Sequence, residues 1–120
     1  MISLEDFKKV EIVVGQILSA EKIENTDKLL KLSVDLGPAS AEASAGKEER
    51  DIRQIISGIA PYFPDCSVLV GKKCLFVANL EPRVIRGFES QGMILAISTE
   101  DGAFSLLISE GDLPTGSRAR

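Results

Sequence analysis

The stretch that decides the fold class is residues 10–36, Val10-Glu11-Ile12-Val13-Val14-Gly15-Gln16-Ile17-Leu18-Ser19-Ala20-Glu21-Lys22-Ile23-Glu24-Asn25-Thr26-Asp27-Lys28-Leu29-Leu30-Lys31-Leu32-Ser33-Val34-Asp35-Leu36. Its second half is the cleanest pattern in the chain. Leu30, Leu32, Val34 and Leu36 alternate with Lys31, Ser33 and Asp35, which predicts a strand with one buried face. In the first half, Val10, Ile12 and Val14 share one parity, and Ile17 and Ile23 share the other, with Gly15 between them. Alternation that changes face at a glycine predicts a long strand bent by a bulge, the device by which small barrels turn corners. Asn25-Thr26-Asp27 is a turn signal between the two strands.

Before this stretch, Ser3 can cap a helical turn or two, with Glu5 and Asp6 at its positive end. After it, Gly37-Pro38 ends the strand. Residues 38–50 are rich in Ala, Ser, Glu and Lys without hydrophobic periodicity. They read as an exposed, mobile loop, with a short Ala-rich helix as the alternative. Asp51–Ser57 is a further strand, and Pro61 and Pro64 mark an irregular turn. Cys74–Leu80 is an apolar strand. Phe88–Gln91, bracketed by Gly87 and Gly92, reads as a tight connection. Met93–Ile97 and Phe104–Ile108 flank the hairpin signal Asp101-Gly102. Six or seven short strands with little helix predict one all-β domain over residues 1–120, a small barrel or sandwich.

Composition narrows the function classes. The 120 residues hold 14 Lys+Arg, 18 Asp+Glu and no histidine. Histidine-based catalysis and histidine-containing metal sites are therefore impossible within this chain. There is no P-loop and no G-x-G-x-x-G. Glu48-Glu49 and Glu100-Asp101 are neighbouring carboxylates in loop-like sequence and read as solvated surface. Cys66 and Cys74 are too few for a structural zinc site, and read as reduced thiols. No catalytic residue, metal or cofactor is expected. The N-terminus lacks a secretory signal and no apolar run reaches membrane-spanning length, so a cytoplasmic protein without membrane contact is expected.

The charge is uneven. Residues 1–51 hold 7 basic and 11 acidic side chains, whereas residues 52–98 hold 5 basic (Arg53, Lys72, Lys73, Arg83, Arg86) and 3 acidic. An acidic chain with a basic middle can still bind phosphate, because recognition needs a local cluster rather than a basic total.

Five stretches in order carry a resemblance: Asp6–Ile17, Thr26–Leu29, Arg53–Ile59, Asn79–Arg83 and Glu89–Ala96. Together they resemble the tRNA-binding domain found as the C-terminal part or separate β subunit of methionyl-tRNA synthetases, as free-standing tRNA-binding proteins, and as a secretion-chaperone-like homologue. The resemblance implies an OB-fold, a five-stranded Greek-key barrel. It implies a non-catalytic module that binds tRNA by its structure, works with a methionyl-tRNA synthetase catalytic subunit, and forms homodimers through its terminal segments. A chaperone-like dimer that binds unfolded peptides is the alternative function.

Carried over by motif, Arg83 and Arg86 would contact phosphates, with Lys28 and Arg53 as further basic contacts. Asn79 would either reach RNA or stabilise its turn. Ser90 and Gln91 resemble the family's tRNA-facing pair, with loop capping as the other role. Met93 would face the same surface or fill the core. Val13 stands where members often carry a basic residue, so one contact is missing.

Overall fold

The alternation of residues 30–36 becomes the centre of the molecule. β2 (Leu30–Pro38) turns Leu30, Leu32, Val34 and Leu36 into the core and leaves Lys31, Ser33 and Asp35 on the outer face. It pairs antiparallel with β1 (Ile12–Lys22) on one side and β3 (Arg50–Ser57) on the other. The computed structural model describes residues 1–38 and 50–120, so the loop expected at 38–50 lies, but for its two end residues, outside the described residues.

β1 bends, but not where the glycine suggested. Its register against β2 shifts between Ile17 and Ser19, so the extra residue is Leu18, which is exposed. Up to that point Val13 and Ile17 both pack into the core, with Gly15 of the same parity between them. Beyond the bulge the parity changes, and Ala20 packs inward. Gly15 serves close approach instead: a Cβ there would lie 2.7 Å from both Leu36 Cδ2 and Phe76 Cδ2. It lets two large core side chains meet across the strand.

β4 (Lys73–Val77) pairs with the first half of β1, and β7 (Met93–Ile94) pairs with β4. The sheet order is β3-β2-β1-β4-β7. Beside β2 on the same edge of β1 runs the C-terminal segment, bonded through Val14 N–H to Ser117 O at 2.9 Å and Gly116 N–H to Val14 O at 2.8 Å. Ile17, Leu30, Leu32, Val34, Ile55, Leu69, Cys74 and Phe76 are fully buried inside the curled sheet. Each of these aliphatic and phenylalanine side chains contributes about 1.5–3 kcal/mol of burial free energy.

Two hairpins complete the chain. β5 (Arg83–Ile85) and β6 (Phe88–Ser90) are joined by Arg86-Gly87, both at positive φ (53° and 84°), a two-residue turn of type I′. The tight connection expected at Phe88–Gln91 is thus largely a strand, because the chain reverses one step earlier. β8 (Ala96–Ser98) and β9 (Phe104–Leu106) pair around the expected Asp101-Gly102 turn. The expected strand over 93–97 is divided between β7 and β8.

At the N-terminus, α1 (Leu4–Lys8) is capped by Ser3, whose Oγ accepts from Asp6 N–H at 3.1 Å. Short 3-10 turns span Ala60–Tyr62 and Cys66–Leu69. No helix among the described residues is long and apolar enough to cross a membrane. Cys66 and Cys74 are free thiols, and burial pushes the Cys74 thiol up from its ordinary value.

The free edges of β3 and β7 face one another, and a polar seam closes the gap. Gln91 N–H donates to Gln54 O at 2.8 Å, and Ile56 N–H donates to Ser90 Oγ at 3.0 Å. The result is a curled, OB-type antiparallel barrel.

Candidate nucleic-acid interface

The seam organises the side chains that the sequence singles out. Ser90 is buried, and its Oγ donates in turn to Gly92 O at 3.1 Å. Gln91 Oε1 accepts from Gln54 N–H at 3.2 Å, and Gln54 Nε2 donates to Glu89 O at 3.0 Å. These bonds dock β6 on the edge of β3 where a continuous strand ladder is missing. Ser90 and Gln91 therefore hold the loop through their side chains, the capping role left open by the sequence.

Arg53 is also turned inward. Its Nε and Nη2 bond Asp51 at 3.0 Å each, and Nη1 donates to Ala78 O and, at 3.2 Å, to Gln91 O. Four of its five N–H groups are engaged within the molecule. Asn79 is exposed, yet its amide is engaged too: Oδ1 accepts from Glu11 N–H at 2.8 Å and Nδ2 donates to Lys9 O. It fastens the segment after α1 to the end of β4.

The remaining candidates face solvent. Arg83 lies on β5 and Arg86 at the hairpin tip, both exposed. Among the described residues neither makes an ion pair or a side-chain hydrogen bond. Lys28, in the β1–β2 connection, is exposed; its ammonium has no partner among the described residues, and its backbone carbonyl accepts from Ala60 N–H at 3.0 Å. Met93 is exposed on β7 rather than filling the core, because its neighbour Ile94 takes the inward position.

The hairpin flanks the outer face of β2 and β3. Lys31 Nζ sits 5.4 Å from the centre of the Phe88 ring and 3.5 Å from Glu21 Oε2. On this face Ser19, Lys31, Ser33, Ile52, Gln54 and Gln91 border a shallow cleft of about 280 Å³. Four polar members, Ser19, Lys31, Ser33 and Gln54, were not among the sequence candidates. The β2 alternation already contained the signal for two of them, since its polar half is by construction the outward half. Lys72 is exposed, whereas Lys73 is neutralised by Asp112 at 3.0 Å.

A curled barrel with exposed cations on the β1–β2 connection and on the hairpin between β4 and β7, and with a polar β2–β3 face, is an oligonucleotide-binding type of module. The chain belongs to the tRNA-binding domain family, described as "Putative tRNA binding domain", whose pattern it matches over residues 12–118. It is 42% identical over 117 residues to the methionine–tRNA ligase of Caldanaerobacter subterraneus subsp. tengcongensis, covering 98% of this chain and 16% of that enzyme. The chain thus spans about a sixth of the length of the curated relatives it matches. Among solved structures it is similar to a MetRS related protein from Pyrococcus horikoshii, with 37% identity and a TM-score of 0.82 over 100% of this chain and 98% of that one. It is also similar to a CsaA chaperone protein from Picrophilus torridus, with 28% identity and a TM-score of 0.78 over the whole of both chains.

Proposed function

We propose that this chain is a non-catalytic tRNA-binding module of a methionyl-tRNA synthetase system, holding tRNA by phosphate and ribose contacts. The observation that carries the reading is the pair Arg83 and Arg86, exposed and without an ion pair among the described residues, on a hairpin docked beside the polar β2–β3 face. Lys28 on the β1–β2 connection adds a further cation, and Ser33 and Gln54 supply neutral donors and acceptors on the β2–β3 face. Base stacking contributes little, because Phe88 is the one aromatic ring described beside this face and Lys31 lies over it. Arg53, Asn79, Ser90 and Gln91 shape the interface rather than touch RNA, and Met93 sits at its rim. Tethered to a catalytic subunit, such a module raises the local tRNA concentration without chemistry of its own.

Two further readings accompany this one. The chain works in the cytoplasm. It also pairs with a second copy through its ends, where Met1, Ile2, Leu4 and Val10 are exposed and a cleft of about 460 Å³ lies between Phe7 and Ala119. The test is a gel-shift titration with tRNA at two salt concentrations. Binding that weakens steeply with salt supports the reading, and no shift at low salt refutes it.

A chaperone-like dimer that binds unfolded peptides is the second reading. The similarity to the Picrophilus torridus chaperone and the exposed Ile97, Ile108 and Leu113 favour it. Suppression of client aggregation at equimolar protein would support it.

A further inference from the structure

We propose that Arg53 is a positioning residue that locks the root of the β5–β6 hairpin, and so fixes where Arg83 and Arg86 meet RNA. The proposal rests on the tRNA-binding reading and assigns one residue a distinct part in it. Ala78 and Gln91 are the two ends of the segment that carries the hairpin, and a single nitrogen, Arg53 Nη1, donates to both of their carbonyls. The opposite edge of the same guanidinium is held by Asp51 in a two-point ion pair, with both side chains about one-third exposed. A planar fork with fixed N–H directions can join these three groups at once, whereas a lysine ammonium is a point charge that cannot reproduce the fork.

Arg53 belongs to β3, which is anchored in the core by Ile55. The hairpin itself is short, three residues a side, with Val84 74% exposed. A two-stranded ribbon of this size is marginal alone and takes its orientation from its attachment. The Gln54–Gln91 and Ile56–Ser90 bonds fix only the leaving side of the hairpin; Arg53 ties the chain where it leaves β4, at Ala78, to the residue that follows β6, Gln91.

The sharpest perturbation is Asp51→Asn. It removes a negative charge beside the interface and frees Arg53, so if Arg53 touched phosphate directly, tRNA binding would tighten. Positioning requires the opposite: binding weakens by roughly five- to tenfold, as follows when the hairpin is docked only about a tenth to a fifth of the time. The slope of log K against log salt falls by less than the roughly 1.4–1.8 that complete loss of two phosphate contacts would give. Arg53→Lys keeps the charge and is expected to behave the same way. Without RNA, both variants speed amide hydrogen exchange at residues 83–90 while leaving the β2 core protected.

Tighter or unchanged tRNA binding by Asp51→Asn, or unchanged hairpin exchange, would overturn the proposal. The exchange readout judges the lock independently of RNA. If Arg83→Ala/Arg86→Ala binds tRNA as tightly as the parent, the interface reading fails, whatever Arg53 does.

Discussion

Replacing Ser90 with alanine separates a structural serine from an RNA-facing one. Ser90 is 5% exposed, and its Oγ is the partner of Ile56 N–H at 3.0 Å and of Gly92 O at 3.1 Å. Alanine leaves a buried donor on β3 without an acceptor, which costs about 1–3 kcal/mol. The Gly92 carbonyl loses a donor as well, while the lost oxygen opens little space. We expect a net destabilisation of about 2 kcal/mol, which for a domain of this size lowers Tm by roughly 5–10 °C. Thermal unfolding followed by circular dichroism measures this, with Ser105→Ala as the comparison. Ser105 is exposed and bonds only the carbonyl of the next residue, so its loss should cost no more than about 0.5 kcal/mol. Well below Tm, Ser90→Ala should keep the parent's salt slope for tRNA, since Arg53 and the Gln54–Gln91 pair still hold the hairpin. A Tm within about 2 °C of the parent, together with a reduced salt slope, would refute this reasoning and return Ser90 to the RNA surface.

Two further predictions follow from the core. Gly15→Ala puts a Cβ 2.7 Å from Leu36 and Phe76, an overpacking cost of about 1–3 kcal/mol that outweighs the entropy gain of alanine; Gly58→Ala, with open space around it, should leave Tm unchanged or higher. Chemical denaturation of the two variants checks the pair. Cys74 is fully buried with its thiol pushed up by burial, while Cys66 is partly exposed, so at pH 8 a thiol reagent should label Cys66 first and reach Cys74 only on unfolding. Because the folded-state thiol titrates above the unfolded one, its stabilising effect is complete below the unfolded value and is lost as pH rises past it.

How much of this was legible in the sequence depended on whether the cause was local. β2 could be read because one face is wholly buried and the other solvated, so its period of two is unbroken from Leu30 to Leu36. The bend in β1 was real but misplaced. Gly15 has a packing cause across the barrel, whereas the bulge falls on Leu18, an ordinary residue whose position is set by pairing with β2. The β5–β6 hairpin was hidden because its turn uses Arg86 at positive φ, where Asn or Asp would have announced it. For the interface, the basic excess of the middle segment contains the hairpin arginines on which the proposed reading rests. What sequence could not supply was which polar atoms are already engaged. Arg53 and Arg86 each follow an isoleucine in the chain, yet one is held by Asp51, Ala78 and Gln91, whereas the other is exposed and makes no side-chain bond among the described residues. That distinction exists only once β3 meets the ends of the hairpin.

The central claim is that the hairpin arginines of an otherwise acidic chain form the phosphate-binding point for tRNA. The measurement that reaches it most directly is equilibrium tRNA binding across a salt series, for the parent and for Arg83→Ala/Arg86→Ala. The account predicts salt-dependent binding by the parent, and a slope shallower by about 1.4–1.8 in the variant with its fold intact. Parallel slopes for the two proteins, or no binding by the parent at low salt, would contradict it.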